Sequence, residues 1–163
     1  MRRKGSQRSI VATDLLARIR GHCSELRVWL LQANPQTPGW YAANQALLVR
    51  ANERVVSDAL HEEYPALLDT LRYETKSIVI QQQMQDEALP KIFAPDGTRL
   101  PRSDIEEDYY RAQSVANVAD VIARYAPLVE SYGDPIYAKE LSATATTFRD
   151  QANDTFRRRP NSF

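Results

Sequence analysis

Breaks that contain proline divide the chain into segments whose apolar residues recur every three or four positions, the period of one face of an α-helix. The first segment covers residues 13–32, with Thr13 as a potential N-cap, and "NPQTPG" ends it. A second helix is predicted over residues 38–62, because Thr37 and Pro38 supply an N-cap and a first-turn proline. The pattern predicts a mainly α fold, a bundle of four to five helices.

The middle of the chain departs from this period. Pro65 fits the first turn of a short third helix, "YPALLDTLRYE". In residues 73–80, β-branched and aromatic residues alternate with others, which favours a strand. The stretch "SIVIQQQMQDEAL" is equally compatible with a helix, and residues 81–89 are compatible with helix, strand or loop. Asp96 and Gly97 then predict a turn. We therefore expect a small β element or an extended loop between the third helix and the C-terminal helices.

Two helices are predicted in the last third of the chain. An apolar stripe covers residues 115–129, and Pro127 is expected to kink or end that helix. Gly133 is typical of a helix C-terminus, and Asp134 followed by Pro135 is typical of a new helix start. The final helix is predicted over residues 135–158, with an apolar face made of Ile136, Leu141, Ala145, Phe148, Ala152 and Phe156.

Four carboxylates stand within five positions in "SDIEEDYY": Asp104, Glu106, Glu107 and Asp108. Ser103 and Glu106 match a capping box, in which the hydroxyl and the carboxylate accept hydrogen bonds from free backbone amides. The helix dipole also favours acids at this end. We therefore interpret the run as a helix start, with cation binding as the alternative.

Motifs for catalysis or cofactor binding are not found in the sequence. The five glycines are isolated, so no glycine-rich phosphate loop exists, and neither HExxH nor CxxC occurs. Cys23 is the single cysteine, and His22 and His61 each stand without an acid or a second histidine at ligand spacing. We expect no catalytic residue, no metal site and no cofactor.

The 163-residue chain has zero formal net charge but an uneven distribution of charge. Seven of its 21 basic residues lie at the two ends, whereas all 21 acidic residues lie between them. The predicted organisation is a flexible basic arm (residues 1–12), one helical domain (13–156) and a basic C-terminal arm (157–163). Such arms suit a polyanion or an acidic partner surface, although they are also compatible with a role in solubility alone.

The residues expected to bind partners fall into two sets. The possible polyanion-binding set is Arg2, Arg3, Lys4 and Arg8. The partner-binding set is Arg157, Arg158, Arg159, Phe163, Tyr109 and Tyr110. The aromatic residues of this region, with Tyr132 and Tyr137, are either interface anchors or the rim of the protein's own core.

Membrane insertion is not expected, because the longest apolar runs fall far short of the roughly 20 residues that span a bilayer. No stretch has the apolar core of a signal peptide. The basic start "MRRKGSQRS" is compatible with an organellar presequence.

Three stretches resemble, in type and order, the head-to-tail adaptor (connector, head-completion) proteins of tailed bacteriophages. They are "LLVRANERVVSDALHEEYPALLDTLRYETKSIVI", "PDGTRLPRSDIEEDYY" and "VIARYAPLVESYGDPIYAKELSATATTFRDQANDTFRRRPN". The resemblance covers about residues 46–161. The long first helix has no counterpart in the adaptor pattern, and the β insertion is shorter than in that pattern.

This resemblance implies a structural virion protein without catalytic activity. Its subunits would be made in the host cytoplasm and form a homo-oligomeric, dodecameric ring at the neck of the virion. The ring would bind the portal protein and tail or neck proteins, with transient DNA contact in the channel.

Two alternatives remain open. The first is a nucleic-acid-binding packaging or regulatory protein that uses its basic arms on phosphates, with affinity that falls steeply as salt rises. The second is an accessory helical subunit of a large, for example organellar, complex.

Overall fold

The computed structural model describes residues 2–33, 53 and 64–158, with side chains from residue 14 onward. Its helices in this part of the chain are α1 (Arg2–Gln32), α2 (Pro65–Ile92), α3 (Ser103–Ser131) and α4 (Pro135–Arg157). The described residues contain no β-strand beyond one isolated bridge. The prediction of a mainly α helical bundle is confirmed, and the helix predicted over residues 38–62 lies outside the described residues except for residue 53, which is helical.

Helix α1 begins at Arg2, so the prediction that Thr13 caps its start is wrong. The stretch "RRKGSQRSIVA" contains several good helix formers, and a single glycine is too weak a breaker to stop the helix. The backbone of residues 2–12, expected as a flexible arm, is helical. The division of the chain into arms and a domain stays a prediction.

Helix α2 begins at Pro65 as predicted but continues to Ile92, so the strand predicted over residues 73–80 is wrong. The inward face of α2 is largely polar, with buried Thr70, Glu74, Ser77 and Gln81. These residues keep helical spacing, but a search for apolar periodicity does not count them. Residues 81–89, for which the sequence left three alternatives, are helical.

In the loop between α2 and α3, the small β element expected from the sequence is reduced to a single bridge. Phe93 and Arg99 form one isolated antiparallel bridge. Gly97 has a φ of 87°, a left-handed conformation that favours glycine, and Asp96 accepts a hydrogen bond from the backbone N–H of Thr98 at 3.1 Å. Hydrogen bonds from Thr98 lower the pKa of Asp96. The predicted turn is confirmed.

Helix α3 is central, since it packs against α1, α2 and α4. Ile122 and Val129 are fully buried on it, and fully burying one such side chain contributes about 1.5–3 kcal/mol. Of the two outcomes expected at Pro127, an end of the helix is wrong, because α3 continues to Ser131; a kink stays a prediction. Pro127 lies on the exposed side, where the lost backbone hydrogen bond leaves its carbonyl partner near water.

The turn between α3 and α4 forms as predicted. Gly133 has a φ of 107°, and its N–H donates to the Glu130 carbonyl at 3.1 Å. The Asp134 side chain accepts from the Tyr137 N–H at 3.0 Å, which caps α4. Ile136 was expected on the apolar face but is 75% exposed, and Tyr137 is buried instead.

Candidate functional site

The acidic start of α3 is not a capping box, so that prediction is wrong. Arg102 occupies the N-cap position with a left-handed φ of 61°, and no side chain accepts a capping hydrogen bond there. Ser103 is therefore inside the first turn, where it is buried. The local pattern placed the helix start one residue too late, because a non-glycine residue at positive φ is uncommon and unpredictable from residue type.

Two of the four acids at this start form ion pairs with arginine. Glu107 accepts from Arg99 at 2.5 Å, and Asp108 pairs with Arg111 one turn along α3. Among the described residues, no group of three or more His, Cys, Asp or Glu side chains is placed to hold a metal ion. The acidic run thus contains two local pairs with arginine, and the described residues form no convergent carboxylate site there.

The structure places the two candidate tyrosines at the edge of the protein's own core. Tyr110 is buried with Ala88 and Ile92, and its hydroxyl accepts from Lys91 at 2.7 Å, which raises the pKa of Lys91. Of the two alternatives left open for Tyr110, its burial matches the rim of the protein's own core, and partner binding by this residue stays a prediction. Tyr109 is half-buried, with its ring 5.4 Å from that of Tyr110.

The C-terminal candidates are only partly described. Arg157 and Arg158 are exposed, and Arg157 pairs with Asp154. Arg159 and Phe163 lie outside the described residues. The side chains of the polyanion-binding set, Arg2, Arg3, Lys4 and Arg8, are outside them too. Partner and polyanion binding by these residues stay predictions.

Three titratable side chains from three helices meet in the interior, and we call them the buried cluster: His22, Glu74 and Tyr125. Nε2 of His22 lies 2.6 Å from Oε1 of Glu74, and the Tyr125 hydroxyl donates to Oε2 of the same carboxylate. The side chains of His22 and Glu74 are each only 1% exposed. The cluster therefore connects α1, α2 and α3 through one carboxylate.

Burial sets the electrostatics of this region. Desolvation, followed by the nearby Glu74 carboxylate, raises the pKa of Tyr125 well above its ordinary value. Burial likewise raises the pKa of the Cys23 thiol, which keeps it protonated and unreactive as a nucleophile. Nδ1 of His22 has no hydrogen-bond partner within the part of the chain that the structure describes. The buried cluster thus joins three helices by side-chain hydrogen bonds away from solvent.

A polar contact between α2 and α3 lies further along the same face of α2. Ser77 donates to the Asn117 side-chain carbonyl at 2.6 Å, and the Asn117 amide donates to the Ser77 carbonyl at 2.9 Å and to Gln81 at 3.2 Å. Such satisfied polar pairs fix the register of packed helices.

Sequence reasoning missed the buried cluster because it judged each histidine by nearby residues. Glu74 is 52 positions from His22. One signal was present, namely the helical spacing of Thr70, Glu74, Ser77 and Gln81, which marks a polar face on α2.

A cleft of about 370 Å³ opens where the C-terminal end of α1 meets α3 and α4. Leu30, Leu31 and Phe148 are among its apolar lining residues. Asp108 and Arg111 supply its charged groups.

No helix in the described part of the chain combines the length and apolar character that a membrane span requires. Searches of protein-family models, curated proteins and solved structures found no match to this chain.

Proposed function

We propose that the protein is a head-to-tail adaptor, a structural virion subunit that forms a homo-oligomeric ring on the portal and joins it to tail or neck proteins. The sequence resemblance to tailed-phage adaptors supports this function, and a mainly helical fold is compatible with it. The observation that carries the proposal is the end of α4, where packing stops and exposed arginines begin.

Phe156 is the last core-packing residue of α4. Its ring lies 5.9 Å from the Tyr109 ring, and it packs against the main core. Arg157 and Arg158 follow it and are exposed. Guanidinium groups form bidentate hydrogen bonds with carboxylates, so these residues suit docking on an acidic neighbouring surface.

The interior of the described region also favours a scaffold over a reaction centre. Its convergent titratable groups, the buried cluster, are closed to solvent, and the Cys23 thiol is buried. A catalytic group must reach its substrate, which these groups cannot do in this conformation.

Truncation after Phe156 tests this function. The shortened chain should keep the helical circular dichroism spectrum and cooperative melting of the full chain, because Arg157 and Arg158, the described part of the removed segment, are exposed. It should fail to join portal rings of its own virus in co-sedimentation, and mass photometry should show loss of rings. Arg149→Gln is the matched control, since Arg149 is an exposed α4 arginine that pairs with Asp120 at 3.7 Å.

Normal incorporation of the truncated chain would contradict the adaptor function. A loss of DNA affinity as the sole defect would instead favour the nucleic-acid alternative.

One observation supports that alternative. Residues 2–12 are helical, so Lys4 and Arg8, four positions apart, share one face of α1. A basic helix face of this kind suits phosphate contacts. Mobility-shift assays at rising salt, with Lys4→Gln and Arg8→Gln, would show a shallower salt dependence if this face binds DNA.

A further inference from the structure

The cleft at the end of α1 has the size and the lining of a small-ligand site. Its volume of about 370 Å³ lies within the roughly 300–1,000 Å³ of such sites. Apolar groups line most of it, with a few polar side chains, Gln151 and Thr155 among them. This combination is typical of a site that takes an apolar body and orients it with one polar group.

Arg111 is the group that can orient a ligand. Its side chain is 9% exposed, whereas that of its partner Asp108 is 52% exposed. A guanidinium carries five N–H donors in a fixed fork, and one of them, at NH2, bonds to Asp108. The Arg111 guanidinium is nearly buried, whereas its carboxylate partner is half-exposed. Such a guanidinium is suited to donate further hydrogen bonds to a second carboxylate.

The apolar wall extends to the surface. Leu31 lines the cleft and is 69% exposed, and Phe148, which also lines it, is half-buried. An exposed leucine beside a charged cleft leaves apolar area that a ligand body would cover, at roughly 25 cal/mol per Å² removed from water.

We propose that this cleft binds a small amphipathic carboxylate. The ligand's carboxylate bonds to the free N–H groups of Arg111, and its apolar body lies on Leu31 and Phe148. Asp108 competes for the same guanidinium from within the chain. This binding is separate from the adaptor function and does not depend on it.

Isothermal titration with phenylbutyrate tests the site on the full chain, with phenylbutanol as the uncharged analogue of the same body. The wild type should bind the acid at least about 10-fold more tightly than the alcohol, because only the acid pairs with the guanidinium. Arg111→Gln should abolish this preference. Asp108→Asn should increase affinity for the acid several-fold, because it removes the internal competitor.

Two further variants keep the test decisive if Arg111→Gln fails to fold. Leu31→Ser changes an exposed side chain and should weaken both compounds several-fold without lowering the melting temperature by more than about 2 °C. Arg149→Gln removes an arginine outside the cleft and should leave binding unchanged. Equal affinity for acid and alcohol, no heat up to millimolar phenylbutyrate, or weaker acid binding by Asp108→Asn would overturn the proposal.

Discussion

The acidic start of α3 and the buried cluster use the same kinds of side chain in different surroundings. The four acids at the start of α3 are conspicuous in the sequence, yet Glu107 and Asp108 only pair with arginines close by in the chain. Glu74 stands alone in the sequence, yet it accepts hydrogen bonds from two other helices. The density of charged residues along a chain is therefore a poor guide to where charge matters for the fold.

Burial distinguishes Glu74 from Asp104 and Asp108, which are exposed, whereas Glu107 is buried but pairs with a half-exposed arginine. A carboxylate near water costs little when its partner is lost, because water replaces the partner. A buried carboxylate has no such replacement, and its loss leaves other polar groups without partners. The following experiments compare the two regions directly.

The largest expected effect is that of Glu74→Ala. Removing this carboxylate leaves His22 and Tyr125 buried without their partner, so the free energy of unfolding should fall by about 3–5 kcal/mol. Urea denaturation followed by circular dichroism measures the change. Asp104→Ala, in the acidic start, is the control and should change it by less than about 0.5 kcal/mol, since Asp104 is exposed.

A double substitution sharpens the same comparison. His22→Ala combined with Glu74→Ala should cost less than the sum of the single changes, because the groups they leave unpaired are partly the same. Additive costs would show that the two side chains contribute independently, contrary to the hydrogen bond between them.

High pH should unfold the protein through the same region. Folding raises the pKa of Cys23 above its ordinary 9.0 and that of Tyr125 well above its ordinary 10.0, so the folded chain holds these protons more tightly than the unfolded chain. Their contribution is fully present well below pH 9, begins to fall as pH passes these ordinary values, and keeps falling until pH reaches the raised pKa values of the folded chain. Each group should add a slope of about 1.4 kcal/mol per pH unit above its ordinary pKa.

Urea titrations between pH 8 and pH 11 would measure this loss. Tyr125→Phe should be less stable than the wild type at pH 8, because Glu74 loses a hydrogen-bond donor. Above pH 10 its free energy of unfolding should fall less steeply with pH than that of the wild type. If the free energy of unfolding instead fell as steeply with pH in Tyr125→Phe and Cys23→Ala as in the wild type, that result would show that other groups cause the alkaline loss of stability.

Features with a local cause were predictable from the sequence. Pro65, Gly133 and the Asp134–Pro135 start act through their own backbone geometry, and the structure confirms each. The overall class followed from the apolar period of the segments. These predictions needed no knowledge of what each helix packs against.

Features decided by tertiary contact were not predictable. The strand over residues 73–80 was wrong because α2 buries polar residues, whose partners on α1 and α3 are distant in the sequence. Tyr110 is buried for a similar reason, since Ala88 and Ile92 cover it from α2. The cleft could not be foreseen either, because it exists only where three helices meet.

The smallest expected effect separates a true helix cap from a residue that only resembles one. Asp134 accepts the Tyr137 N–H at 3.0 Å at the start of α4, so Asp134→Ala should lower the free energy of unfolding by about 1 kcal/mol. Ser103 matched a cap in the sequence but makes no capping hydrogen bond at the start of α3, so Ser103→Ala should change stability by less than about 0.5 kcal/mol. Both are measured by urea denaturation in the same buffer.

Because Arg20 also pairs with Asp134 at 3.0 Å, Arg20→Gln should be measured alongside, and its half-exposed pair should contribute less than the cap. If Ser103→Ala proved as costly as Asp134→Ala, the acidic start of α3 would depend on its serine after all, and the contrast between local pairs there and the buried cluster would lose one of its supports.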